Sequence, residues 1–283
     1  MKFGIHSLLF TETFLEKDLP RLDNFKAMGF DAVEIIPFDP DNFPAGKVRQ
    51  YAMDIGVDIN IGYGMPQEKN IISADASVRK EGVEFSKYLI DLCALAGAKV
   101  FGGVIYCSWG YTTGKMRTAD EWKWGVEAFR EIATYAKESA PGLILGIEPV
   151  NRFESHFINI AVDAVQFIKD VGEANVKVHM DTFHMIREEA DIAQAIRETG
   201  ERIGYIHACE NQRGIPGRGQ VPWAEFFKAL KQVKYDGCVT IESFDPHMEK
   251  IAKLCCIWRQ LADSPEQLAS EGLAYLKEVY GRV

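Results

Sequence analysis

Residues 143–148 read LILGIE, an apolar run that ends in a glutamate, and this pattern returns three times further along the chain. The later copies are VKVHMD at 176–181, IGYIH at 203–207 and CVTIE at 238–242. Each copy has the length of a buried strand and ends in one carboxylate or imidazole. The carboxyl ends of parallel strands meet at one edge of a sheet, so these four side chains are expected to converge.

Strand-like and helix-like segments alternate along the whole chain. Eight apolar runs are predicted as strands: Phe3–Phe10, Ala32–Phe38, Asp58–Gly64, Lys99–Ile105, Leu143–Pro149, Val176–Thr182, Ile203–Cys209 and Cys238–Ser243. Between them, apolar residues recur every three or four positions, which predicts helices with one buried face. Such helices are predicted at Ser77–Ala96, Glu121–Ser139, Val162–Gly172 and Trp223–Val233.

Strand–helix alternation on this scale predicts parallel strands joined by crossover helices. The chain has 283 residues, and a (β/α)₈ TIM barrel needs about 250. Eight units without a break therefore predict a single TIM-barrel domain over residues 1–283, with a helical C-terminal extension from about Met248. A doubly wound open sheet is the alternative, although no G-x-G-x-x-G motif follows the first strand.

Composition and charge exclude several classes of protein. Hydrophobic residues make up 47% of the chain and charged residues 26%, which suits a globular domain with a large core. The net charge of −9 and the absence of a basic run argue against nucleic acid, since phosphates are bound by clustered Lys and Arg. No apolar stretch is long enough to cross a membrane, and the N-terminus lacks the features of a signal peptide. We therefore expect a cytoplasmic protein with reduced cysteines that binds a small molecule.

The four strand-end residues form a candidate metal site, which we call the quartet: Glu148, Asp181, His207 and Glu242. Three carboxylates and one imidazole suit a hard to borderline ion, so Mn²⁺ is expected first, with Co²⁺ or Mg²⁺ as alternatives. Such an ion can polarise a substrate carbonyl and a neighbouring hydroxyl together. It also stabilises the enediolate that forms when a proton leaves the carbon next to a ketone.

Four segments around the quartet carry a family resemblance. They read GIEPVNRFE at 146–154, MDTFHM at 180–185, ENQRGIPGRG at 210–219 and TIE at 240–242. Together they resemble the ketose 3-epimerases, which include D-tagatose, D-psicose (allulose) and L-ribulose 3-epimerases within the sugar-phosphate-isomerase-like TIM barrels. The resemblance runs along the whole chain and is densest between Glu148 and Glu242. It implies a metal-dependent isomerase that epimerises a ketose at C3.

The resemblance also implies roles for single residues. The quartet matches the metal ligands, and within it Glu148 and Glu242 match the pair that exchanges protons on the two faces of C3. Epimerisation removes a proton from one face and returns one to the other, which two opposed carboxylates can do. The residues implied to bind the sugar are Glu154, His184 and Arg213 at its C1–C2 end, with Trp109 and His6 in the pocket wall.

The residues themselves leave alternatives to several of these roles. His184 follows the sixth strand closely and could be a further metal ligand or a loop residue. Glu154 could simply pair with Arg152. Trp109 could belong to the core, and His6 could be a buried strand histidine without a role in binding.

Other functions on the same fold also stay open. A hydroxypyruvate- or inosose-type isomerase, or an epimerase of a phosphorylated sugar or of another carbon, would use the same quartet with a different pocket. An endonuclease-IV-like enzyme would need additional histidines, and the second and third predicted strands end without one. A catalytically silent barrel would tend to lose a ligand, and none is missing. Substrate choice is expected to depend on the segments at His6, Phe38–Pro40 and Gly62–Met65.

Partners are expected to be few. The resemblance and the extra helical segment after Met248 imply a homo-dimer or homo-tetramer. Beyond a second copy of the chain, the expected partner is a small-molecule ketose, with no nucleic acid and no membrane.

Overall fold

The computed structural model covers residues 1–283 and contains a closed barrel of eight parallel strands. The strands follow one another around the barrel in chain order, and the first strand closes on the last, with Gly4 opposite Thr240. The predicted TIM barrel is therefore confirmed. The strands are β1 (Lys2–His6), β2 (Ala32–Ile35), β3 (Asp58–Met65), β4 (Val100–Ser108), β5 (Ile144–Ile147), β6 (Val176–Asp181), β7 (Ile203–Ala208) and β8 (Cys238–Ile241).

Ten α-helices connect and follow the strands, and the last two form the C-terminal extension. They are α1 (Arg21–Ala27), α2 (Ala45–Ile55), α3 (Ala76–Ala96), α4 (Ala119–Ser139), α5 (Ala161–Val171), α6 (Thr182–Glu188), α7 (Ile192–Thr199), α8 (Trp223–Gln232), α9 (Glu249–Cys255) and α10 (Pro265–Arg282). Short 3₁₀ turns lie at Ser7–Leu9, Glu16–Asp18, Pro40–Asn42, Gln67–Lys69 and Gly200–Arg202. None of the helices combines the length and apolar character that a membrane span requires.

Local signals in the sequence set the ends of the two longest helices. The helix α3 begins after Asp75, whose side chain accepts the Ser77 N–H, and it ends at Gly97, which adopts the left-handed conformation. The helix α4 begins at a capping box, in which the side chains of Thr118 and Glu121 each bond to the backbone N–H of the other. Because these signals are local, the predicted bounds of both helices lie within two residues of the observed ones.

The first two strands end earlier than predicted. The strand β1 stops at His6 and not at Phe10, because His6 Nδ1 accepts the Leu8 N–H at 3.2 Å and caps a 3₁₀ turn. The strand β2 stops at Ile35, two residues before Pro37, which has no N–H to contribute to a strand ladder. Both early ends open the rim of the barrel on the side of the first two strands.

The interior of the barrel encloses His179, which lies within β6. Its side chain is fully buried, and its ring centroid lies 4.8 Å from that of Tyr205. Two neighbouring strands leave space for it with glycines. A Cβ at Gly102 would lie 3.0 Å from His179 Nδ1, and a Cβ at Gly146 would lie 3.1 Å from His179 Cβ. Larger residues at these two positions would displace the imidazole.

Replacing Gly103 with alanine should destabilise the barrel. Gly103 has a φ of +107°, and an added Cβ would lie 2.4 Å from the carbonyl oxygen of Tyr63 on β3. Because the backbone of β3 or β4 would have to move, we expect the free energy of unfolding to fall by about 2–4 kcal/mol, as measured by urea denaturation. Gly142→Ala is the matched control, since Gly142 has a φ of +89° but its added Cβ would meet nothing within 4 Å. Equal losses in the two variants would show that the close contact carries no cost.

Candidate active site

The strand ends place the quartet in one buried group. Its members stand at matching positions: Glu148 and Glu242 directly follow β5 and β8, Asp181 is the last residue of β6, and His207 is the second-last residue of β7. These four strands are neighbours in the barrel, so the side chains converge at its carboxyl-end rim. The most exposed of the four, Glu242, has only 12% of its side chain accessible to solvent.

One nitrogen of His207 lies close to both glutamates of the quartet. Its Nδ1 is 3.7 Å from Glu148 Oε1 and 3.5 Å from Glu242 Oε1, and this buried atom has no hydrogen-bond partner. Asp181, His207 and Glu242 each offer a donor atom within 4.8 Å of the others, as do Glu148, His179 and His207. Donor atoms that each lie about 2.1 Å from one ion are about 3–3.5 Å from one another. Small movements of the quartet side chains would therefore bring their donor atoms within bonding distance of a single ion. The residues present fit a divalent ion, which would satisfy the unpaired imidazole nitrogen.

Arg213 places a positive charge beside the carboxylates. Its Nη1 donates to Asp181 Oδ2 at 3.3 Å and also bonds to Glu242 Oε2. The guanidinium carbon lies 3.7 Å from the ring centroid of Phe183, a stacking geometry that fixes the plane of the group. Its backbone has a φ of +65°, the left-handed conformation that is unusual for arginine. The side chain is therefore held in place before any ligand arrives.

The surroundings push the pKa values of the two quartet glutamates in opposite directions. Burial raises the pKa of Glu148 to about 7, and the charge of Glu242 adds to this shift while His207 opposes it. Burial likewise raises the pKa of Asp181 well above its ordinary value, against the charge of Arg213. For Glu242, burial is outweighed by Arg213 and His207, which hold its pKa below the ordinary value. Such divergence is how two carboxylates come to act as an acid and a base.

Glu154 belongs to a hydrogen-bonded group on the wall of the site. Trp109 Nε1 donates to one of its carboxylate oxygens at 2.7 Å, and Asn151 Nδ2 donates to the other at 2.8 Å. The alternative pairing with Arg152 is wrong, because Arg152 forms a salt bridge with Glu188 at 2.9 Å. Burial opposes ionisation, but the charge of Arg213 and the two hydrogen bonds hold the pKa of Glu154 below its ordinary value.

His184, on α6, directs a nitrogen toward the quartet. Its Nδ1 accepts the backbone N–H of Asn151 at 3.0 Å, and burial lowers its pKa to about 4, so the ring is neutral and carries its proton on Nε2. That Nε2 lies 3.7 Å from Glu148 Oε1 and 3.6 Å from Asp181 Oδ2. An N–H donor at this position suits a substrate oxygen better than a metal ion.

A cavity of about 510 Å³ opens over the quartet. All five predicted sugar-binding residues line it, together with three members of the quartet. Among them, His6 is buried, with Nε2 3.8 Å from Glu242 Oε1. The predicted specificity segments contribute Phe38 and the run Gly62–Gly64, and Trp109 packs so closely on Gly64 that an added Cβ there would lie 2.7 Å from the indole. The cavity is therefore framed by the residues that the sequence singled out.

Three residues that shape the site received no role from the sequence. Glu34, on β2, lies 2.6 Å from His207 Nε2. Asn151 connects Glu154 and His184, because its side-chain amide donates to Glu154 and its backbone N–H donates to His184. Glu210 holds the loop that carries Arg213, since its Oε1 accepts the Gly217 N–H at 2.8 Å. A charged residue inside the apolar run AVEI was the one local signal for Glu34.

Comparison with known proteins agrees with this geometry. The profile of the xylose isomerase-like TIM barrel family matches residues 22–279. An L-ribulose 3-epimerase of Mesorhizobium japonicum is 34% identical over 278 residues, which cover 97% of this chain and 93% of that protein. A D-psicose 3-epimerase of Agrobacterium fabrum is 32% identical over 290 residues, covering 99% and 100% respectively.

A solved structure gives the same result in three dimensions. The structure of an L-ribulose 3-epimerase matches with a TM-score of 0.94 and 33% sequence identity, covering 99% of this chain and 95% of that one. The chain therefore belongs to the xylose isomerase-like TIM barrel family and, within it, to the ketose 3-epimerases.

Proposed function

We propose that this chain epimerises a ketose at C3, with Glu148 and Glu242 as the acid–base pair and a divalent ion held by the quartet. The observation that carries the proposal is that both glutamates approach one atom, His207 Nδ1, at 3.7 Å for Glu148 and 3.5 Å for Glu242. Their strands, β5 and β8, are separated by two others in the barrel, so the two carboxylates would approach a bound sugar from different sides.

The two glutamates would divide the proton transfers between them. One carboxylate removes the C3 proton from its face of the sugar, and the other, protonated, delivers a proton to the opposite face. The product has the same formula as the substrate, while the enzyme has moved one proton from one glutamate to the other. Exchange with water restores the starting state, and the roles interchange in the reverse reaction.

The quartet would hold the ion, with Mn²⁺ expected first and Co²⁺ or Mg²⁺ as alternatives. When bound, the ion would supply Lewis acidity at the ketose carbonyl and the neighbouring hydroxyl, which makes the C3 proton more acidic.

The remaining predicted residues would bind and orient the sugar. Glu154, held by two donors, offers carboxylate lone pairs to ketose hydroxyls. His184 Nε2–H and the guanidinium of Arg213 offer donors to the oxygens at C1 and C2. The indole of Trp109 and the imidazole of His6 would form the pocket wall, where they exclude water from the reacting carbon.

One observation favours a phosphorylated ketose as a second candidate substrate. Two exposed arginines, Arg187 and Arg259, line the cavity in addition to Arg213. The guanidinium fork binds phosphate oxygens in pairs. Arg187 already donates to the carbonyl oxygens of Phe183 and Asn211, so Arg259 is the side chain that would receive a terminal phosphate. The chemistry at C3 would be unchanged.

A substrate screen tests the proposed function. Free ketopentoses, free ketohexoses and their terminal phosphates would each be incubated with the enzyme and Mn²⁺, and products would be identified by chromatography and NMR. We expect a C3 epimer from a free ketose, with no product in parallel samples that contain EDTA. Turnover of the phosphates alone would select the second candidate, and an aldose or a C4 epimer as the sole product would contradict the assignment to C3.

The predicted cytoplasmic location stays a prediction. We also propose that the chain assembles into a homo-dimer or homo-tetramer. Three exposed apolar side chains support self-association: Phe153, Leu254 and Trp258 are 78%, 46% and 73% exposed, and the first two line the cavity. Exposed apolar surface commonly marks protein interfaces where it is contiguous.

A further inference from the structure

Glu34 is a carboxylate buried inside the barrel, outside the quartet. It lies on β2, with 1% of its surface exposed, in a run that is otherwise apolar. Burying a charged group is costly unless it is paired and hydrogen-bonded. A carboxylate at this position therefore needs partners that compensate its charge.

The partners of Glu34 lie on the far side of the barrel. Its Oε2 is 2.6 Å from His207 Nε2 and accepts the hydroxyl of Tyr205 at 2.7 Å, both on β7. The same hydroxyl lies 2.6 Å from Thr240 Oγ1 and accepts from Asn60 Nδ2 at 3.2 Å. This network joins β2, β3, β7 and β8, and both contacts to the carboxylate reach its Oε2 from β7.

Gly62, on the neighbouring strand β3, leaves room for the carboxylate of Glu34. A Cβ at Gly62 on β3 would lie 2.3 Å from Glu34 Oε1 and 2.5 Å from Ile36 Cδ1. Any side chain larger than hydrogen at Gly62 would push the glutamate away from His207. The space beside Gly62 and the hydrogen bonds to Tyr205 and His207 thus both favour the observed position of the Glu34 carboxylate.

We propose that Glu34 is a positioning residue, which holds His207 so that Nδ1 faces the metal site. An ionised carboxylate only accepts hydrogen bonds, so His207 Nε2 must carry the proton in this contact. Nδ1 faces Glu148 and Glu242 without a hydrogen-bond partner, so it is the nitrogen left free to bind an ion. A carboxylate behind a ligating histidine sets the orientation and raises the basicity of the ring.

This inference rests on the proposed function only in taking His207 as a metal ligand. Binding of Mn²⁺ without substrate tests it, measured from the EPR signal of free Mn²⁺ during titration. We expect Glu34→Gln to weaken Mn²⁺ binding by about 10–100-fold relative to wild type. Because the loss is one of affinity, much of the kcat should return at saturating Mn²⁺.

Tyr205→Phe is the matched control. It removes the hydroxyl that contacts Glu34 and Thr240 but leaves the contact between Glu34 and His207. We expect this variant to lose less affinity for Mn²⁺ than Glu34→Gln, because the contact between Glu34 and His207 remains. Wild-type affinity in Glu34→Gln, or an equal loss in both variants, would overturn the positioning role.

A measurement on the wild-type chain covers the case in which Glu34→Gln does not fold. The chain would be labelled with ¹⁵N in histidine and saturated with Zn²⁺, which is diamagnetic. NMR should show His207 with its proton on Nε2, and a proton on Nδ1 would overturn the proposal. A wild-type enzyme that binds Mn²⁺ but epimerises no ketose would refute the proposed function and leave the role of Glu34 standing.

Discussion

Replacing Glu148 or Glu242 with glutamine should lower kcat for epimerisation by about 10³-fold or more. Glutamine keeps the shape of glutamate and can still offer a carbonyl oxygen to an ion, but it cannot take or deliver a proton at C3. Steady-state kinetics on the ketose identified by the screen would measure the loss, and a Mn²⁺ titration would show how much metal binding survives.

Glu188→Gln is the matched control for these variants. Glu188 is also largely buried, with 5% of its side chain exposed, but it pairs with Arg152 and does not line the cavity. We expect it to keep most of the wild-type kcat. Full epimerisation by both single variants of the quartet would remove Glu148 and Glu242 from proton transfer and leave them as metal ligands at most.

Removing the metal should abolish activity. After treatment with EDTA and dialysis, we expect no epimerisation, and Mn²⁺ or Co²⁺ should restore it, because the proposed ligands include both acid–base groups. The metal content of each preparation would be measured by mass spectrometry beside the activity. Full turnover in a preparation shown to contain no metal would contradict the proposed mechanism.

The same experiment has a readout that does not depend on activity. An ion that binds only the folded chain stabilises it by about 2.7 kcal/mol at a concentration 100 times its Kd. The melting temperature should therefore rise with Mn²⁺, and the rise should be smaller for Asp181→Asn, which loses one of the charged ligands. An identical rise in both proteins would place the bound ion elsewhere.

The barrel and the quartet were predictable because both depend on local sequence. An apolar run of strand length that ends in a carboxylate or imidazole can be recognised from the sequence alone, as at Ile147–Glu148 and Ile241–Glu242. The fold then brings such ends together, since adjacent parallel strands share one rim. Helix ends at Gly97 and Thr118 were equally legible, since caps are local.

The remaining contacts depend on residues far apart in the chain. Glu34 contacts His207 across 173 positions, and nothing near either residue in the sequence connects them. The left-handed backbone at Arg213 also had no local signal, because glycine or asparagine is usual in that conformation. In the C-terminal extension, α9 ends at Cys256, another left-handed residue that is not glycine, so this end had no local signal. The start of α10 did have one, because Ser264 caps the helix and Pro265 stands at its first position.

Deuterium incorporation tests the proposed C3 chemistry most directly. The wild-type enzyme with Mn²⁺ would be incubated with its ketose in D₂O, and both epimers would be analysed by NMR. Proton removal and return at C3 predicts deuterium at C3 in the substrate and in the product. Deuterium at C1 would instead identify an aldose–ketose isomerase and contradict the assignment of this chain as a C3 epimerase.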